Sequence, residues 1–296
     1  MVLTSIIMTY CDRLEQLNNT LRSFEFHKYS DIEVIIVDDG SKIEPISEKM
    51  FSSFTFPIYV INMPIKKVYY NPSVPFNVGF SKCKGEKIII QNAECLHLEN
   101  ILEHASKNLD DSNYLTYTCF SLSKEHTFSL SNKNVMILYD FLNNLIMKDL
   151  NILEKQNQNW KNHIKYRPNS LHFTSAITKK NLLELGGFDE RYANGTSYDD
   201  DEFLTRIIRK GLNVKIVENI KSVHQWHTNT ENYKRLFSYY LRSKNYILFK
   251  FVTKNEQHIN PSNKSFLFFL YKITLPITVS INILFILIRL LKNKLK

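Results

Sequence analysis

The sequence predicts an α/β fold: a mixed, mainly parallel sheet flanked by helices, followed by a C-terminal helical tail. Three observations carry that expectation. Val2 to Thr9 and Glu33 to Val37 are continuous apolar, β-branched runs of the kind found in strands buried on both faces. Between them Leu14, Leu17, Leu21 and Phe24 recur at helical spacing, which supplies the crossover that parallel strands need. The same alternation continues for most of the chain.

The second run ends in Asp38-Asp39-Gly40-Ser41. Ligands in such sheets bind beyond the carboxyl ends of the strands, so Thr9, Tyr10, Asp38 and Asp39 are expected to converge on one crevice. Phe56 to Met63 reads as the third strand, and Asn71 to Lys84 as a loop feeding a short helix. Lys87 to Ile90 is the fourth strand, running into Gln91-Asn92-Ala93-Glu94-Cys95-Leu96-His97. Ile101, Leu102, Ala105 and Leu109 make another helical face, and Tyr114 to Leu122 a further strand. Val135 to Met147 is apolar enough for a buried helix; Asn151 to Asn159 is polar and reads as a loop. Trp160 to Ile177 holds short extended pieces with Trp160, His163, Tyr166, Arg167 and His172 among them. Lys179 to Leu185 is a helix closed by Gly186-Gly187.

Tyr198-Asp199-Asp200-Asp201-Glu202-Phe203 follows, four carboxylates just ahead of the helical face of Phe203, Leu204, Ile207 and Ile208. The acids therefore crowd a helix start, where unpaired N–H groups and the macrodipole favour ionised carboxylates. An exposed N-capping turn would read the same way. Val214 to Val217 is the last strand and leads into Val223-His224-Gln225-Trp226-His227; Tyr233, Leu236, Phe237, Tyr240 and Leu241 then form an aromatic stripe expected to pack on the domain.

With 296 residues, 44% of them hydrophobic, the chain can bury a large core. The formal charge of +9 points to an anionic partner, but Lys and Arg are dispersed, which argues against a nucleic-acid module. Cys11, Cys83, Cys95 and Cys119 stand alone, without metal-ligand spacing, as expected in a reducing, cytoplasmic setting. The opening apolar stretch reaches Asp12 and Arg13 too soon, and lacks the basic leader, for a secretory signal. Ile273 to Ile288 is uncharged and bounded by Lys272 and by Arg289, Lys292, Lys294 and Lys296. It makes about 24 Å of helix, short of a hydrocarbon core of roughly 30 Å. A helix lying in the membrane interface or re-entering it, its basic end on anionic headgroups, is the expectation; packing on its own domain or on a second subunit is the alternative.

Ser5-Ile6-Ile7-Met8-Thr9-Tyr10, Val37-Asp38-Asp39-Gly40-Ser41, Asn77-x-Gly79 before Gly85-Glu86-Lys87-Ile88, Gln91-Asn92-Ala93-Glu94, Gly186-Gly187-Phe188-Asp189-Glu190, the acidic turn and His224-Gln225-Trp226-His227 occur in that order. Together they resemble the family 2 glycosyltransferases of the Rossmann-like GT-A fold, over roughly residues 1–227. The resemblance implies a catalytic domain over 1–228, with a nucleotide-sugar half to about 98 and an acceptor half beyond it. An aromatic helical extension (229–264) and the tail (265–296) would follow. It implies inverting transfer of a hexose from a nucleoside diphosphate sugar, UDP in the first place, to a hydroxyl of a glycan or glycoconjugate. Asp39 would read the base, with Asp38 nearby and Thr9, Tyr10, Asn77 and Asn92 in the donor site. Asp200 would be the base, with Asp199 and Asp201 as near alternatives.

The chain departs from the family at the metal motif. Where many relatives carry Asp-x-Asp, this sequence has Asn92-Ala93-Glu94, one carboxylate fewer. Glu94 would then share a divalent cation with His224 or His227, a donor set that suits Mn2+ better than Mg2+. The thinned motif also admits a second reading, a catalytically degenerate nucleotide-sugar binder or partner subunit. A nucleotidyltransferase or a dehydrogenase is disfavoured, because no Gly-rich phosphate loop follows the first strand.

Overall fold

The computed structural model describes residues 3–66, 69–130, 140, 144, 160–228, 235–255 and 260. Along the chain come β1 (Thr4–Tyr10), α1 (Leu14–Phe26), β2 (Ile32–Asp38), β3 (Ile58–Asn62), α2 (Ser73–Phe80), β4 (Lys87–Asn92), β5 (Cys95–His97), α3 (Ile101–Asn108) and β6 (Asn113–Ser121). After them are α4 (Lys124–Phe128), β7 (Trp160–Asn162), β8 (Thr174–Thr178), α5 (Lys179–Leu185), α6 (Asp199–Arg209), β9 (Asn213–His224) and α7 (Arg235–Asn255). The expected helix at Val135 to Met147, the loop after it and the tail lie outside the described residues.

The strands form one sheet in the order β3-β2-β1-β4-β8-β6-β9-β5, with β7 on β6. The four strands β3, β2, β1 and β4 run parallel. β8 enters antiparallel between β4 and β6, and β6 pairs parallel with β9. Each apolar strand feeds two cores because alternate side chains leave opposite faces. Ile6 and Met8 of β1 meet Leu17, Leu21 and Phe24 of α1 on one face. Ile7 joins Ile35, Val37, Phe76 and Phe80 on the other.

Chain order reverses direction across the sheet at β1, which lies between β2 and β4, so a crevice opens beyond the carboxyl ends of β1 and β4. Register puts Thr9 between Val37 and Asn92, and Tyr10 opposite Asp38.

Three elements differ from the sequence expectation. β9 does not stop at Val217 but runs through a register shift to His224, so the histidine motif begins on a strand. β5 pairs antiparallel with its end, Cys95 opposite His224. In α7, Phe237 and Tyr240 are 38% and 39% exposed, while Leu241 of the expected stripe is buried with Leu248 and Val252; Tyr233 and the Leu236 side chain lie outside what the structure describes. Asn245 fixes this helix, its amide donating to the carbonyls of Tyr192 at 3.0 Å and Ser197 at 2.8 Å. Among the described residues no helix is long and apolar enough to cross a membrane, and all four cysteines are free thiols.

Candidate functional site

A cavity of about 210 Å3 lies beyond the end of β4, lined by Tyr70, Asn71, Asn92, His172, Phe173, Asp199 and Asp200 among others. The helix start at α6 and the strand end at β4 therefore face one space, although more than a hundred residues separate them. Asp199 is buried and hydrogen-bonded to the Asn71 side chain; Asp201 is exposed, near Arg167 and Arg242. Asp200, between them, is the half-buried acid on the cavity. Its Oδ1 accepts from the backbone N–H of Asp201 at 3.0 Å.

The helix terminus does not keep these acids low, as the sequence suggested it would. Burial, together with the neighbouring charge of Asp199, pushes the Asp200 carboxyl up to about 6, against the pull of His172. Burial also raises Asp199 and Asp201. Desolvation outweighs the macrodipole here, since it acts on the whole charge and the terminus supplies only a fraction of one.

The second cluster sits just past β4. Glu94 is 2% exposed, and its Oε1 meets Arg13 Nη1 at 2.8 Å, His227 Nε2 at 3.3 Å and His224 Nε2 at 3.4 Å. Burial alone would push the Glu94 carboxyl up; Arg13 and the two imidazoles hold it well below the usual carboxylate range. Gln225 is the joint that brings these distant pieces together. Its backbone N–H donates to the Glu94 carbonyl at 3.0 Å, its amide donates to the Gln16 carbonyl at 2.9 Å, and its Oε1 accepts from Asn19 at 2.9 Å. The ring of Phe173, on the cavity wall, packs edge-on against His224 with centroids 5.7 Å apart, so the two clusters adjoin.

Residues 5–267 match the sequence profile of the family described as glycosyltransferase-like family 2. The chain belongs to that family. No curated protein matches it. Among solved structures, it resembles the mannosyltransferase PcManGT from Pyrobaculum calidifontis, in complex with GDP-Man and Mn2+, at 14% identity and a TM-score of 0.53, covering 86% of this chain and 64% of that one. GalNAc-T7 with UDP, GalNAc and Mn2+ gives 14% identity and a TM-score of 0.58, over 87% of this chain and 49% of that one. TarS from S. aureus, residues 1–349 with UDP, gives 12% and 0.51, over 86% and 73%. The chain thus spans about two thirds or less of the first two, and likeness at this identity shows the GT-A fold.

Within this family 2 chain the expected donor residues divide. Thr9 and Asp39 are half-buried at the crevice, and Asp39 Oδ1 accepts from the Tyr69 hydroxyl at 2.7 Å. Asn92 lines the cavity. Tyr10 and Asp38 do not reach it, which corrects the expectation for both. Strand alternation turns them inward: Tyr10 is 1% exposed and donates to the Glu44 carbonyl at 2.6 Å. Asp38 is 3% exposed and accepts from the backbone N–H groups of Ser41 at 2.8 Å and Ile46 at 3.3 Å.

Asn77 serves the fold. Its Oδ1 accepts from the Phe188 N–H at 2.8 Å and its amide donates to the Phe188 carbonyl at 2.9 Å, pinning the corner where Gly187 has a φ of +70°. Asn77→Ala is expected to lower stability by about 1–3 kcal/mol, as unpaired buried polar groups do, while nucleotide affinity by calorimetry stays within twofold. A tenfold loss of affinity with unchanged melting would place Asn77 in the donor site after all.

Sequence reasoning missed Tyr69, Arg13 and His172. Tyr69 sits in a stretch of the sequence with no regular pattern, Arg13 served only to exclude a leader, and His172 is a lone histidine between short strands. No spacing rule marks any of them. His172 is 8% exposed, walled by Phe76 and Phe188, and its Nδ1 has no hydrogen-bond partner among the described residues.

Glu94, His224 and His227 present ligand atoms all within 4.8 Å of one another. Glu94 Oε2 is buried with no hydrogen-bond partner among the described residues. One carboxylate and two imidazoles fit a divalent cation of intermediate hardness.

Proposed function

We propose that the protein transfers a hexose from a nucleoside diphosphate sugar to a hydroxyl of a glycan or glycoconjugate, with inversion at the anomeric carbon. The observation that carries this reading is the shared cavity of Asp200 and Asn92, beside the Glu94 cluster, in a chain of this family. Residues 1–98 would hold the donor and 99–228 the acceptor. The cavity is smaller than the roughly 300–1,000 Å3 of a full ligand site. It therefore takes the reacting ends of the two substrates, and the nucleotide lies along the crevice towards Asp39.

Asp39 would read the base, flanked by Thr9, and the UDP complexes of GalNAc-T7 and TarS, two of the similar structures, support UDP as the nucleotide. Glu94, His224 and His227 would hold Mn2+, which when bound neutralises the diphosphate leaving group. Asp200 would take the proton of the acceptor hydroxyl as that oxygen attacks from the face opposite the diphosphate. A base poised near pH 6 is well matched to this task, because it is ionised at neutral pH yet still basic.

Screening a panel of sugar nucleotides with Mn2+ tests the proposal. Slow donor hydrolysis, with faster UDP release once an acceptor is added, is expected with at least one UDP-sugar. Binding of nucleoside diphosphates with no turnover of any donor would instead establish the degenerate binder.

The pH dependence follows from Asp200. Since the ionised form is the base, kcat/KM is expected to rise tenfold per pH unit below about 6 and to level off above it. A profile flat down to pH 5 would remove Asp200 from the reaction.

A further inference from the structure

The Arg13–Glu94 pair is built differently from a structural ion pair. Guanidinium–carboxylate pairs frequently meet through two parallel hydrogen bonds, as Arg206 and Glu202 do in this chain. Here the contact is single, Nη1 to Oε1 at 2.8 Å. The unused halves of both groups, Arg13 Nε and Glu94 Oε2, are buried without hydrogen-bond partners among the described residues. Both histidines approach the same Oε1 that Arg13 holds, at 3.4 Å and 3.3 Å.

Those positions leave room for one positive charge only. A cation shared by Glu94 and the two imidazoles would face the guanidinium across a few ångströms of buried space, where like charges repel strongly. Arg13 can leave. Its side chain is 19% exposed against 3% for Glu94, and its backbone is held separately, its carbonyl accepting the Leu17 N–H at 3.0 Å in the first turn of α1. A guanidinium released at the mouth of this crevice matches the geometry of a phosphate, which it can grip with the donors now left unpaired.

We propose that Arg13 is an exchangeable counter-ion and a diphosphate-binding residue. It neutralises Glu94 until a divalent cation takes that carboxylate, and then turns to a phosphate oxygen of the donor. The second half of this inference rests on the donor-site reading above; the first half does not.

The full chain and its Arg13→Gln and Glu94→Gln variants, each verified as folded by circular dichroism, are titrated with Mn2+ alone and read by the electron paramagnetic resonance of the free ion. Arg13→Gln is expected to bind Mn2+ at least about tenfold more tightly than wild type, and Glu94→Gln to lose binding. UDP and GDP are then titrated by calorimetry at saturating Mn2+, where Arg13→Gln is expected to lose about tenfold in affinity. A purely structural arginine would not move the two affinities in opposite directions. Equal or weaker Mn2+ binding by Arg13→Gln overturns the exchange. If neither UDP nor GDP binds any variant while the Mn2+ effect stands, the exchange survives and the donor-site reading fails.

Discussion

Asp200→Asn is expected to reduce glycosyl transfer by about 10²–10⁴-fold, the usual worth of a positioned base, while UDP affinity measured by calorimetry stays within twofold. The amide keeps the shape of the side chain and its place on the cavity with Asn92 and His172. What it removes is the ability to take a proton. The same substitution should raise the melting temperature at pH 7.5. Because the folded-state pKa of Asp200 lies above its unfolded value, its ionisation opposes folding by an amount that builds as pH rises from the unfolded pKa and is fully present above about 6. Below the unfolded pKa, near 3.9, both forms are neutral and the difference vanishes. A variant retaining a tenth of wild-type turnover would take the role away from Asp200. The stability measurement separates loss of chemistry from loss of structure.

Arg206→Ala is expected to cost about 3–5 kcal/mol of stability, because it leaves Glu202 buried without its counter-charge. Both side chains are 2% exposed, and the fork is bidentate: Nε to Oε1 at 2.6 Å and Nη2 to Oε2 at 2.8 Å. The guanidinium also donates to the carbonyls of Leu185 at 2.5 Å and Gly187 at 2.9 Å, tying α6 to the glycine corner. Thermal denaturation should show a fall of about 6–20 °C, taking 2–4 °C per kcal/mol for a chain of this size. A fall under 2 °C would mean that the corner is held by other contacts. Since α6 also carries Asp200, substrate turnover at low temperature should fall with the folded fraction and no faster.

The parallel half of the sheet was legible because it rests on local signals. β1, β2 and β4 are apolar on every residue that matters, and Leu17, Leu21 and Phe24 mark α1 without help from the rest of the chain. Glu94, His224 and His227 could be named as candidates from residue type alone. Their meeting could not be derived, because it depends on the three-residue strand β5 pairing with the far end of β9. That end was hidden: Glu218 and Asn219 interrupt the apolar pattern, and the ladder continues past them through a register shift. Tyr10 and Asp38 show the opposite failure, residues of suitable chemistry that alternation turns inward. The acidic turn was placed well and its electrostatics inverted, since depth in the protein is a tertiary property.

β8 has a further consequence for how the molecule can work. It comes from the later half of the chain yet is hydrogen-bonded to β4 on one side and β6 on the other. The two halves are thus woven into a single ladder, and swinging one against the other would tear backbone hydrogen bonds. Substrate entry is left to the loops above the strand ends, and residues 1–98 isolated from the rest would present β4 as a bare, adhesive edge.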